Sequence, residues 1–191
     1  MDKIVNLCIT MMVEYKVIDE QQKDIMVYGL DLLFSSMVSL VSFILLGFCL
    51  NREIETIWLL ITFISLQSFG GGYHCQTHFR CWLLMMAGYL TGMFVLVKIP
   101  ATILWGGSVL GGYSFLKLAP VENPKAMFGE IFRNRMRKIV VCIYFAALLS
   151  AGIVQGAGTE WHTVILSGVV LSAISIIGAK AKNKILKERL I

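Results

Sequence analysis

Apolar residues run through this chain in long blocks separated by short polar breaks, and the length of each block sets the first reading. A helix crossing a hydrocarbon core about 30 Å thick needs roughly 20 apolar residues. Blocks near that length lie at about 29–50, 54–69, 81–97, 101–118, 139–155 and 161–179. The breaks are Asn51-Arg52-Glu53, the stretch from Gly70 to Arg80, Lys98 with Pro100, a polar segment 119–138, and 156–160. Ahead of the first block, residues 1–18 place Ile4, Val5, Cys8, Met11, Met12 and Tyr15 at spacings of three and four, with Lys3, Asn6, Thr10 and Glu14 mostly elsewhere. That spacing predicts an amphipathic helix, too poor in apolar residues to span, lying in the membrane interface or against the bundle. Asp19 with Gln22 three residues on fits a capping box at the start of the next helix. The pattern therefore predicts an all-α, polytopic membrane helix bundle of about six membrane helices plus an N-terminal amphipathic helix. It reads as a single membrane domain over 1–191: an N-terminal region 1–28, a bundle 29–179 and a basic tail 180–191.

Composition supports a membrane rather than a soluble chain. Of 191 residues, 57% are hydrophobic and 15% charged, and the mean hydropathy is +0.75; a soluble domain has about a quarter of its residues charged. No cleavable signal peptide is expected, since 1–24 has scattered charges and no compact apolar core. Five cysteines do not resemble a disulfide framework. Cys8, Cys49 and Cys142 sit in apolar helical runs and read as inert small hydrophobes.

The net charge of +5 matters less than where the charges fall. With six spans, fifteen of the seventeen Lys and Arg residues lie on the side of the N-terminus, leaving only Arg52 and Lys98 opposite. The positive-inside rule then makes both termini, the 70–80 loop and the 119–138 loop cytoplasmic. The basic 119–138 loop reads first as cytoplasmic retention and attraction to anionic lipid, and no nucleic-acid partner is expected.

Candidate chemistry concentrates in Gly70-Gly71-Gly72-Tyr73-His74-Cys75-Gln76-Thr77-His78-Phe79-Arg80-Cys81, which holds two of three histidines and two of five cysteines. Consecutive glycines end a helix, because each loses more backbone entropy on ordering than any other residue. A cysteine nucleophile acts as the thiolate, which a neighbouring imidazole and the amino-terminal end of a helix both favour. Cys81 has both features; Cys75 follows His74 directly, where adjacent side chains tend to point apart. The base stays open on spacing alone: His78 is three residues from Cys81, whereas His74, seven away, reaches it only if the loop folds back. These four residues lack the separated pairs of a structural zinc site, so neither a metal nor another cofactor is expected. Asp31 and Glu122 are weak options for a residue orienting the base.

The segment Gly71 to Cys81 resembles the His-x6-Cys motif of the accessory gene regulator protein B (AgrB-like) family, membrane endopeptidases that process quorum-sensing peptides. Chain length, the amphipathic start, the spans and Ala119-Pro120-Val121-Glu122-Asn123-Pro124 before a basic run are similar too, so the resemblance covers nearly the whole chain. It implies His74 as the catalytic base and Cys81 as the nucleophile. Two positions depart from the family pattern: Cys75 stands where a small residue is usual, and Leu66-Gln67-Ser68-Phe69 replaces arginines found before the glycines in some members. The implied activity is cleavage of an AgrD-like propeptide through an acyl-enzyme thioester, followed by closure to a thiolactone or lactone in the bacterial cell membrane. Backbone N–H groups at the start of the third span, with Gln76 or Thr77, are candidate oxyanion donors. Arg133, Arg135, Arg137 and Lys138 are candidates for attracting an acidic C-terminal segment of the propeptide, as the family's substrates suggest. The family, together with Gly106, Gly107, Gly111 and Gly112 of the fourth span, points to a homodimer, although packing within the bundle is the plainer reading of those glycines. The rival class is a non-enzymatic small membrane transporter or export component with a re-entrant glycine loop. A thiol redox role for Cys75 and Cys81 is disfavoured by the reducing cytoplasm and the absence of C-x-x-C spacing.

Overall fold

The computed structural model describes residues 2–15, 23–73, 75, 77–121 and 129–188. Among these every regular element is helical, with seven α-helices: α1 Asp2–Glu14, α2 Lys23–Cys49, α3 Glu53–Gly70, α4 His78–Leu90, α5 Ala101–Tyr113, α6 Glu130–Gly156 and α7 Trp161–Glu188. Three stretches are long and apolar enough to cross a membrane, Phe79–Lys98, Glu130–Gly156 and Trp161–Ile185, and Leu33–Cys49 is a shorter apolar helix. The expected capping box at Asp19 and Gln22 lies outside the described residues.

The chain divides into two compact units, Met1–Leu46 and Gly47–Ile191. In the first, Val5 and Ile9 of α1 are buried, with Met12 and Val13 alongside and Met26, Val27, Leu30 and Phe34 of α2 packed against them. These α1 positions recur at three and four residues, one stripe of a helix.

In the second unit α7 is the central helix. Its apolar window is 56% buried, against 22% for α6 and 17% for the stretch that includes α4. The cause lies in its sequence: Ser167, Gly168, Ser172 and Ala173 let neighbouring helices approach, while Ile165, Leu166, Val169 and Ile176 fill the space between. A Cβ on Gly111 of α5 would come within 2.8 Å of the Ala173 Cβ, and one on Gly168 within 3.1 Å of Thr62 on α3. Gly112 backs onto Tyr144 of α6 in the same way, and the Tyr144 hydroxyl donates to the Ser108 carbonyl at 3.1 Å. Gly111 and Gly112 thus serve packing within the chain. Large apolar side chains such as Leu110, Leu149 and Ile153 face outward, as lipid-facing positions do.

Helix ends gather in two sets. At one, Arg52, which caps α3, donates to the Met93 carbonyl at 3.2 Å and stands over the Phe94 ring, while Trp105 near the start of α5 donates to Gln155 near the end of α6. At the other, the end of α3 meets the 119–121 strap, the start of α6 and the end of α7. Val121 N–H donates to the Gly70 carbonyl at 2.9 Å, and Arg137 Nε donates to the Ala119 carbonyl at 3.0 Å. The strap is therefore tied to α3 by one hydrogen bond and to α6 by another.

Several boundaries differ from the sequence reading: α4 begins at His78, ahead of the expected Cys81, because Thr77 caps it. The polar segment expected over 119–138 is already helical from Glu130, because after Gly129 the residues are ordinary helix formers with an acid in the first turn, where the helix dipole favours it. The tail expected from residue 180 continues α7 to Glu188, since Lys and Glu lose little side-chain freedom in a helix, and Lys184 and Glu188 pair at 4.0 Å across one turn. Wider π-helical turns extend α4 over Thr91–Val95 and α5 over Ser114–Leu118, leading directly into the strap.

Candidate active site

The glycine run ends α3 as expected. Gly71 takes φ +72 and ψ 172, a conformation in effect open only to glycine, and a Cβ there would collide with the Val121 backbone. Gly72 lies so close to the Gln67 side chain that a Cβ would strike its amide. The chain then passes Tyr73, whose N–H donates to Ser175 Oγ of α7 at 3.0 Å and whose ring lies 4.9 Å from Lys182 Nζ. Gly71 and Gly72 thus let the chain pass close to the strap on one side and to Ser175 of α7 on the other.

Thr77 begins α4. It is extended, its side chain accepts from the Arg80 N–H, and its carbonyl accepts from the Cys81 N–H at 3.0 Å. This cap is the local reason that Cys81 falls in the first helical turn, near the positive end of the macrodipole. Cys81 is half-buried, as is Cys75.

Spacing alone treats the two thiols as separate, but the fold brings them near enough for each sulfur to influence the other. Burial, foremost, pushes the Cys75 thiol up, the neighbouring Cys81 sulfur adds to it, and the charges of Lys182 and Arg80 pull the other way. Lys182 is a charge beside the loop that sequence reasoning missed. It reads as one of several tail lysines until α7 is known to continue past residue 180 and return beside the loop.

The expected base, His74, and the expected donor Gln76 lie outside the described residues, as does Glu122; nothing is described of the side chains of His78 and Asp31. Arg133, Arg135, Arg137 and Lys138 are all exposed on the opening turns of α6. Arg133 and Arg137 line a cavity with residues of α7, and Arg135 and Lys138 do not. Among the described residues no group of three or more His, Cys, Asp or Glu is placed to hold a metal ion.

The family model for Accessory gene regulator B matches residues 5–176. The chain belongs to the accessory gene regulator B family. It is 27% identical over 166 residues to a protein of Clostridium perfringens strain 13 described only as AgrB-like protein 2, covering 80% of this chain and 78% of that one. An AgrB-like protein of Clostridium perfringens strain SM101 is 26% identical over 167 residues, with the same shares. No solved structure matches. Family membership and the three long apolar helices mark an integral membrane protein with a role in processing an autoinducer peptide.

Proposed function

We propose that this chain is a membrane cysteine endopeptidase that removes the C-terminal part of an AgrD-like propeptide through a thioester on Cys81 and promotes ring closure of the remainder. The observation that supports this best is the placement of Cys81: first turn of a capped helix, beside the Cys75 thiol, at the loop that holds the family motif.

His74 accepts the Cys81 thiol proton, and the thiolate attacks the scissile carbonyl carbon. The oxyanion draws on the N–H groups that open α4, with the Thr77 hydroxyl and Gln76 as further donors. Collapse breaks the C–N bond; the leaving amine takes the proton back from His74, and the N-terminal part remains as a thioester. A Cys or Ser of the bound substrate then attacks that carbonyl and restores Cys81, giving a thiolactone or lactone. Exchange of one thioester for another is nearly isoenergetic, so a folded substrate closes without ATP. Water would give a linear product, so the site must exclude it.

The remaining apolar helices, Leu33–Cys49, α3 and α5 with its π turn, complete six crossings with α1 at the interface. Both termini, the catalytic loop and the basic start of α6 face the cytoplasm, a reading supported by the gathering of Lys117, Arg133, Arg137 and Lys180 at one end. Of the four basic residues expected to attract the acidic segment of the propeptide, Arg135 and Lys138, exposed on α6 and outside the cavity that Arg133 and Arg137 line, draw it toward the loop. A second copy of the chain completes the assembly as a homodimer, on the strength of the family resemblance.

The test is cleavage of the propeptide by purified protein and by single variants. Cys81→Ala and His74→Ala abolish cleavage, while Cys75→Ala and His78→Ala retain it. Cleavage by Cys81→Ala overturns the peptidase reading; activity kept in His74→Ala and lost in His78→Ala reassigns the base.

A further inference from the structure

The strap that closes over Gly71 also lines a cavity of about 850 Å³ between the opening turns of α6 and the closing turns of α7. Among the described residues its charged lining is Lys117, Arg133, Arg137, Lys180 and Lys184, with Glu130 as the one acid. The arrangement is regular: Arg133 and Arg137 are four apart on α6, and Lys180 and Lys184 are four apart on α7, so each pair shares one helical face. Arg135 and Lys138, on the same turns of α6, do not line it. Arg137 is fixed at the wall by its bond to Ala119. The Glu130–Arg133 pair is long, at 4.0 Å, and exposed, so it neutralises little.

Five cations around one concavity repel each other unless an anion sits among them. Leu118, Val121 and Ile177 add an apolar wall, and from this point α6 and α7 run on as apolar helices long enough to cross a membrane. A soluble anion has no use for that wall; a lipid phosphate with acyl chains does. Basic pockets between membrane helices on the cytoplasmic side suit such headgroups. We propose that this cavity binds the phosphate headgroup of an anionic phospholipid, held by Arg133 and Arg137 from α6 and by Lys117, Lys180 and Lys184. Arg135 and Lys138 then remain for the acidic segment of the propeptide. The site stands independently of the peptidase reading.

The experiment is native mass spectrometry of the full chain in neutral detergent, titrated with phosphatidylglycerol or phosphatidylcholine. We expect one phosphatidylglycerol retained in preference to phosphatidylcholine, weakened about tenfold or more in Arg133→Gln/Lys180→Gln, from roughly 1 kcal/mol for each basic residue at a membrane surface. Arg135→Gln/Lys138→Gln removes the same charge and leaves retention unchanged, and Arg133→Lys/Lys180→Arg keeps it, which separates loss of the site from loss of the fold. Equal weakening in both glutamine doubles, or equal retention of the two lipids, overturns the proposal. So does displacement of the lipid by equimolar inorganic phosphate, which would make the ligand a free anion, or by equimolar hexaglutamate, which would make the cavity a peptide site.

Discussion

Replacing Gly71 by alanine tests how the loop is held. Gly71 sits at φ +72 with extended ψ, where a residue with a Cβ pays about 1–3 kcal/mol. The added methyl also runs into the Val121 backbone, which cannot swing aside as a side chain would. Moving it breaks the 2.9 Å bond from Val121 to Gly70, roughly another 1 kcal/mol. The sum, about 2–4 kcal/mol, corresponds to an opening equilibrium raised about 30- to 1000-fold. Hydrogen–deuterium exchange at the Val121 amide should accelerate by that factor, and propeptide cleavage should fall with it. Gly72→Ala is the internal comparison, because its methyl meets the end of the Gln67 side chain and a rotamer change relieves much of the clash. Gly88→Ala, inside α4 with nothing within 4 Å, should stabilise by about 0.5–1 kcal/mol. Exchange at Val121 unchanged in Gly71→Ala would refute the idea that this glycine clamps the strap.

Three further outcomes follow from the same geometry. Thr77→Val removes the acceptor for the Arg80 N–H and should lower the thermal midpoint in detergent by the equivalent of about 0.5–1 kcal/mol, with faster exchange in the first turn of α4. Because burial raises the Cys75 thiol, its alkylation by iodoacetamide, followed by peptide mass spectrometry, should stay slow at pH 7 and accelerate only above the ordinary thiol range, about 8.5. Lys182→Gln takes away a charge that pulls the Cys75 thiol down, so the same alkylation profile should move to still higher pH, and a shift to lower pH would contradict the assigned contact.

Block length and glycine punctuation were enough to place α3 and the loop, because a run of glycines is a local signal, while the start of α4 at His78 rather than Cys81 follows from the Thr77 cap, which block length does not show. The near coincidence of the 101–118 block with α5 and its π turn has the same origin. Where α6 begins and where α7 ends were not legible, since a charged residue at a helix end reads the same in a helix and in a tail. The meeting of Cys75, Cys81 and Lys182 depends on α7 returning to the loop more than a hundred residues later, which no local pattern encodes. The sorting of the basic run into Arg133 with Arg137 and Arg135 with Lys138 needed only the helical period, but it required knowing that the helix starts at Glu130.

The central claim is that the Cys81 sulfur holds the acyl group. Incubating the full chain with a propeptide whose ring-forming Cys or Ser is replaced by alanine, then measuring intact mass and mapping the adduct, tests it directly. The account predicts a hydroxylamine-sensitive adduct of the N-terminal part on Cys81, absent from Cys81→Ala. An adduct on Cys75, or cleavage that proceeds in Cys81→Ala, would contradict it.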